Sequence, residues 1–397
     1  MDQSKLWTKD FIIISTINFL LTLVFYLLIV IMGSFAIERY DASVSAAGLV
    51  TGLFVVGTLI GRLFTGRVID QVGRKKTLII GLILFTAATF LYFIQIGVGF
   101  LIFSRFMHGM MLGVASTAAG TIVAQIIPPS RRGEGIGYYS MGATLATATG
   151  PFIGLMVTQT MPVEIVFWIA IVIGFVSLIT ANIVHVPLIT IKEEQSEQRV
   201  GIGQFIELNA LPISMITLII ALGYAGILSF MNLYAEEIGL VKAASFFFLV
   251  YSIAVLVTRP FTGKLVDTKG ANAVMYPTFI LYAAGLLLLG VAQNSFMLLL
   301  AGVLIGLGFG NMQSCIQAIA IKVTPVERAG LATSTFYIFM DAGLGLGPYL
   351  LGFVVTLLGY QQLYIALSFV VLAAIAVYYF VHGRKDRNGT LTKSIYS

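Results

Sequence analysis

Charge is scarce in this chain: Asp, Glu, Lys and Arg make up 10% of its 397 residues, against roughly a quarter in soluble domains. That excludes an ordinary soluble globule. Cysteine is reduced to Cys315, so no intramolecular disulfide framework can form, and its apolar neighbourhood makes it a packing residue. The histidines stand at 108, 185 and 382. Scattered so, they offer neither a metal cluster nor the paired acid and base of an enzyme site, and no metal or cofactor is expected. A Gly-x-x-x-x-Gly-Lys-Ser/Thr phosphate loop is missing, so nucleotide hydrolysis is not the expected energy source. No loop is long enough for a soluble output domain, which counts against a sensor.

What fills the chain is hydrophobic: 58% of residues, with a mean hydropathy of +0.99. The apolar runs are about 20 residues long, enough to cross a bilayer as helix. Forty-one glycines suit close approach of helices in lipid. Twelve spans are expected, near 11–36, 44–66, 77–97, 100–126, 135–158, 164–186, 207–234, 244–263, 273–292, 296–321, 330–357 and 361–381. Lys and Arg crowd into alternate loops, while the other loops hold only Arg39 and Lys242. This asymmetry places the basic loops and both termini in the cytoplasm, and it accounts for the net charge of +6 without nucleic acid. The first run is a full span with no small-residue cleavage site after it, so no signal peptide is expected. The polar stretch Lys192–Arg199 lies between two halves. It divides the chain into an N-terminal six-helix half (1–187), a cytoplasmic linker (188–206), a C-terminal six-helix half (207–381) and a cytoplasmic tail (382–397).

The second half repeats the first. Arg62-Leu-Phe-Thr-Gly66-Arg-Val-Ile-Asp70-Gln-Val-Gly73-Arg74-Lys75-Lys76 returns as Arg259-Pro-Phe-Thr-Gly263-Lys-Leu-Val-Asp267-Thr-Lys-Gly270. Asp70 and Asp267 stand 197 positions apart (267 − 70), as do Pro128 and Pro325, Arg131 and Arg328, and the Gly-Pro pairs at 150–151 and 347–348. A constant offset over four landmarks marks a duplication. Six spans separate equivalent positions, so the halves are parallel repeats. In that architecture the substrate site lies between the halves near mid-membrane.

These residues resemble the major facilitator superfamily. Gly66-x-x-x-Asp70-x-x-Gly73-Arg74-Lys75 is similar to its signature loop between spans two and three, with a weaker copy at Gly263–Gly270. Arg105-x-x-His108-Gly109-x-x-x-Gly113 resembles its span-four motif. Gly137-(x8)-Ala146-(x3)-Gly150-Pro151-x-x-Gly154 resembles the span-five motif of the drug–proton antiporter branch, with Ala146 where glycine is preferred. The resemblance covers essentially the whole chain. It implies an all-α integral membrane protein of twelve transmembrane helices in two parallel-repeat six-helix halves, the major facilitator fold. It also implies a gating latch in which Asp70 faces the start of span eleven beside Arg328. By pseudo-symmetry Asp267 meets the start of span five beside Arg131 and Arg132. Such contacts exist only while the cytoplasmic side is shut, although Arg74 and its basic neighbours would also serve topology alone. Gly137, Gly150, Pro151 and Gly154, with Gly347 and Pro348, make smooth helix faces that suit close packing, an occluding hinge, or both. Several multidrug members carry an acid inside the first span; this chain has none there, so the coupling acid must lie elsewhere.

Asp341 is the one acid deep within a span, about a dozen residues into span eleven and near mid-membrane at 1.5 Å per residue. A carboxylate there suits proton carriage or a structural bond to a neighbouring helix; its first-half counterpart is Thr144. Arg105, early in span four, either snorkels or faces a polar interior where it senses the proton. His108, one turn on along the same face, either titrates or packs. Asn18 and Tyr26 on span one, Tyr224 on span seven, and Asn311, Gln313 and Gln317 on span ten are the candidate substrate contacts. The expected function is a secondary active transporter, working as a monomer in a bacterial plasma membrane. It would export a small amphipathic molecule, a drug-like compound or metabolite, in exchange for protons. The alternative is a proton-coupled or facilitative importer of a metabolite; a sensor or membrane enzyme fits less well.

Overall fold

The computed structural model describes residues 5–128, 132–186, 206–324 and 329–384, and all regular structure in them is helical. The chain folds as two compact units, Met1–Glu194 and Gln195–Ser397. Unit 1 holds α1 (Lys9–Tyr40), α2 (Val44–Val72), α3 (Arg74–Phe90, prolonged by a 3-10 turn Leu91–Phe93), α4 (Val98–Ile126), α5 (Arg132–Thr158) and α6 (Glu164–Ile183). Unit 2 holds α7 (Leu211–Glu237), α8 (Val241–Lys269), α9 (Asn272–Gly290) and α10 (Ser295–Lys322), followed by a helical run Ala329–Tyr378. That last run has 50 residues, a length of about 75 Å at 1.5 Å per residue, more than twice a bilayer core of about 30 Å. It breaks at Gly359, whose φ of 82° no helix accommodates. The break separates α11 (329–358) from α12 (360–378), so the 11 long apolar stretches among the described residues amount to twelve helices of membrane-spanning length.

Local chemistry sets the ends. Thr8, Ser43 and Asn294 cap α1, α2 and α10 by accepting the N–H of Phe11, Ala46 and Met297. Gly73 and Gly270 turn the chain from second to third helix in each unit, at φ 94° and 84°. A side chain is strained in that left-handed region, so the last glycine of each repeated loop is a turn glycine.

In unit 1, α2 crosses α4 and α1 lies on α5. A Cβ added at Gly109 would stand 1.9 Å from the carbonyl oxygen of Phe54, and one at Gly113 would stand 2.2 Å from that of Thr58. The α2–α4 crossing is therefore a backbone contact that only glycine permits. Large apolar side chains such as Phe64, Ile96, Phe261, Phe296, Leu357 and Phe380 point outward, as a lipid-facing surface requires. Buried hydroxyls such as those of Thr86 and Thr278 donate back to carbonyls one turn earlier, Leu82 and Val274, and so are satisfied within their own helices.

Candidate coupling site and gating loop

Unit 1 buries a charge in its α3–α4 hairpin. Arg105 of α4 is 0% exposed, so it neither snorkels nor borders water. Its Nε donates to the Val50 carbonyl of α2 at 3.2 Å, and its Nη1 donates to the Tyr92 hydroxyl at 3.1 Å. The guanidinium carbon lies 4.3 Å from the centre of the Phe54 ring, a cation–π contact worth about 2 kcal/mol when desolvated. Nη2 is buried with no hydrogen-bond partner, and no carboxylate among the described residues pairs with this charge.

His108, one turn further along α4, is also fully buried. Its Nδ1 lies 2.7 Å from the Tyr92 hydroxyl and its Nε2 lies 3.2 Å from Thr89 Oγ1. The rings of Phe85 and Phe54 flank the imidazole at 4.2 and 5.3 Å. Both nitrogens are engaged, so a proton could enter only if one of these bonds opened.

Sequence reasoning singled out Arg105 and His108 but not the residues they bond, Tyr92 and Thr89. The only signal was the hairpin itself: α3 and α4 run antiparallel, so Thr89 lies three residues before Tyr92 as His108 lies three after Arg105.

The repeated loop ties helices together within each unit. Arg74 Nη1 donates to Gln125 Oε1 of α4 at 2.7 Å. Lys75 Nζ donates to the carbonyls of Asn182 and Val184 at 2.9 and 2.7 Å, at the C-terminus of α6. There the orphan carbonyls and helix dipole favour a cation. Its counterpart 197 positions on, Asn272, does the same for α12: Nδ2 donates to the Gly383 carbonyl at 2.9 Å and Oδ1 accepts from the Tyr378 hydroxyl at 2.8 Å. A Cβ on Gly66 would meet nothing within 4 Å, so packing inside unit 1 does not demand that glycine. Arg131 and Arg328, with the side chains of Asp70 and Asp267 and the surroundings of Gly137 and Gly263, lie outside the described residues.

The span-five motif forms a packing seam. A Cβ on Gly150 would stand 2.6 Å from Tyr26 Cβ, and one on Gly154 would stand 2.6 Å from the Leu27 carbonyl oxygen, both on α1. Gly347 faces Ala225 of α7 in the same way at 2.9 Å. Pro151 and Pro348 sit inside α5 and α11, both buried.

In unit 2, Asp341 lies inside α11 and is 8% exposed. Beside it, Met340 Sδ accepts from Gln313 Nε2 at 3.2 Å, linking α10 to α11. Tyr224 stacks on Phe309 with ring centres 4.2 Å apart and planes 17° apart, and Tyr251 lies 5.5 Å from Tyr224 on the same terms. Phe309 belongs to a π-turn, Gly306–Gly310, that interrupts α10; such turns gather at functional sites.

Asn311 follows the π-turn, and its backbone N–H goes to the Gly308 carbonyl. Its side chain supplies the Leu307 carbonyl instead, at 2.9 Å, donates to Thr258 Oγ1 at 2.9 Å, and accepts from Thr262 Oγ1 at 3.0 Å. Asn311 is therefore committed to holding α10 on α8. Gln317 on α10, and Asn18 and Tyr26 on α1, are half-buried. Glu207, just before α7, is a buried acid that the sequence did not single out: it is 1% exposed, with its N–H on Thr335 Oγ1 at 2.8 Å and its Oε1 accepting from Asn209 at 3.2 Å.

The chain belongs to the Major Facilitator Superfamily, whose sequence profile matches residues 14–276 and 213–394. It is 24% identical over 328 residues to an uncharacterised MFS-type transporter of Methanocaldococcus jannaschii, covering 80% of this chain and 84% of that one. It is 22% identical over 374 residues to the staphylopine export protein of Staphylococcus aureus, covering 89% and 92%. Among solved structures, an inward-facing bacterial homologue of the human lysosomal transporter Spinster matches with a TM-score of 0.77 at 14% identity, over 96% of this chain and 97% of that one. A nucleoside transporter also matches at 0.77 with 12% identity, over 93% and 100%. The molecule is thus a multi-pass membrane transporter with the major facilitator fold.

Proposed function

We propose that this transporter exports a small amphipathic molecule in exchange for protons, by alternating access between its two six-helix units. The observation that carries the reading is Asp341, a carboxylate 8% exposed inside an otherwise apolar span, where a carboxylate is costly to keep without a task. In this cycle Asp341 loads a proton from outside and releases it inside, and Arg105 responds to that change of charge. Asp70 and Asp267 latch the cytoplasmic side while it is shut, and Asn18, Tyr26, Tyr224, Gln313 and Gln317 contact the substrate. Asn311 acts through the shape of α10. Export is supported by the likeness to a staphylopine exporter over most of both chains and by the glycine–proline seam of α5. The basic loops and both ends face the cytoplasm of a bacterial cell, each chain working as a monomer.

Purified protein in liposomes with a pH-sensitive dye inside tests this, comparing wild type with Asp341→Asn across hydrophobic cations, antibiotics and metabolites. Substrate-evoked proton flux that disappears in the variant is the expected result. Flux that survives removes Asp341 from the cycle. Substrate movement without protons makes the protein a facilitator.

A further inference from the structure

We infer that Tyr92 and His108 are positioning residues that fix the Arg105 guanidinium, and that the proton response proposed above for Arg105 depends on them. Arg105 can only donate hydrogen bonds. Its Nη1 lies 3.1 Å from the Tyr92 hydroxyl, so that oxygen accepts. The tyrosine's own proton then goes to Nδ1 of His108, 2.7 Å away. With Nδ1 accepting, the imidazole proton sits on Nε2 and is donated to Thr89 Oγ1 at 3.2 Å. Thr89 donates in turn to the Phe85 carbonyl at 3.1 Å. In this order every proton of the chain meets an acceptor. In the reverse order the Tyr92 proton would point at a guanidinium, which accepts nothing.

The consequence is a charge pinned from two helices. Nε is held by the α2 backbone at Val50. Nη1 is held by a hydroxyl that cannot rotate without losing its own acceptor. Nη2 alone is left without a partner. Tyr92 also packs on Phe167 of α6, with ring centres 5.3 Å apart, so the charge takes its position from three helices besides its own.

The test uses full-length protein and three variants. Tyr92→Phe keeps the ring and removes the hydroxyl; His108→Asn keeps an acceptor near Nδ1; His108→Leu keeps none. With ethidium as the transported probe, Tyr92→Phe and His108→Leu should lower the protons moved per ethidium severalfold. Thermal midpoints should fall in Tyr92→Phe and His108→Leu by the loss of one buried hydrogen bond, while ethidium affinity stays near wild type and His108→Asn restores both the ratio and the midpoint. Nitrogen NMR of labelled protein should find the His108 proton on Nε2 in wild type and a changed imidazole signal in Tyr92→Phe. A His108 proton on Nδ1, or Arg105 side-chain signals unmoved in Tyr92→Phe, overturns the inference whether or not ethidium is carried. An unchanged ratio in Tyr92→Phe and His108→Leu also overturns it. If Arg105→Gln itself leaves the ratio unchanged, the proton response of Arg105 fails, a result separable from the spectroscopic one.

Discussion

Gly109 and Gly113 of α4 have counterparts in Gly306 and Gly310 of α10, 197 positions on, and both pairs pack against the second helix of their unit. Beside that shared crossing the two units diverge. Where α4 carries Arg105, α10 carries Gly302, packed against Phe247. Tyr92, His108 and Thr89 are answered by Leu289, Ile305 and Leu286, all buried. Two buried tyrosines of unit 2 turn to backbone instead: Tyr234 donates to the Leu289 carbonyl at 2.8 Å and Tyr282 to that of Ile220 at 3.0 Å. One backbone crossing thus supports either a buried charge or apolar side chains at the matching positions, and the chemistry is carried by a few side chains placed on it. In the proposed exchange the fixed cation belongs to one unit and the titrating acid to the other.

Moving the charge is the strongest way to break this comparison. Gly302→Arg puts a guanidinium against Phe247 with Leu289 where a hydroxyl would be needed. An unpaired buried charge costs about 3–5 kcal/mol, so this variant should give no monodisperse protein on size exclusion in detergent. A well-folded Gly302→Arg would mean that the surroundings of Arg105 are nothing special. Next come the glycines. Overpacking costs about 1–3 kcal/mol, and Gly109→Ala should lower the thermal midpoint more than Gly306→Ala, because the facing carbonyl lies at 1.9 rather than 2.4 Å from the added carbon. Equal shifts would show that both crossings relax alike.

Asn311→Leu sharpens the contrast within unit 2. Stranding the Leu307 carbonyl and losing the ties to Thr258 and Thr262 costs about 1–3 kcal/mol, so stability and transport should fall together. Loss of transport at an unchanged midpoint would return Asn311 to the substrate contacts. The smallest effect is expected at the helix caps. Lys75→Asn should cost about 0.3–1 kcal/mol, and the wild-type protein should lose that increment at high salt, while the Asn272 cap should be insensitive to it. A salt response unchanged by Lys75→Asn would assign it to other charges.

Much of this architecture was legible because membrane spans and a duplication are written in long patterns. The break at Gly359 falls inside the loop expected between residues 357 and 361, and Gly73 and Gly270 announced their turns by recurring at the same offset. The site was less legible. Arg105 and His108 stood out as polar residues in an apolar helix, but their partners sit on α3, and a single helix pattern does not say what faces it. Asn311 read as a cavity residue because nothing in its neighbours declares the π-turn that occupies its amide. Glu207 passed unnoticed because its burial depends on Thr335, 128 residues away.

The π-turn also tests how far the duplication reaches. An α-helix turns about 100° per residue, whereas a π-turn closes its ring over one residue more. α10 holds such a turn at Gly306–Gly310, and α4 runs without one from Val98 to Ile126. Yet beyond Gly310 the two helices stay in phase: Met312, Cys315, Ile316, Ile319 and Ala320 are buried, as are Ala115, Ala118, Ala119, Ile122 and Val123, 197 positions earlier. Gly310 still meets Val255 of α8 where Gly113 meets Thr58, the residue at the same offset, on α2. Grafting residues from one half onto the other by offset would therefore keep each side chain on its own face along the whole helix, π-turn included.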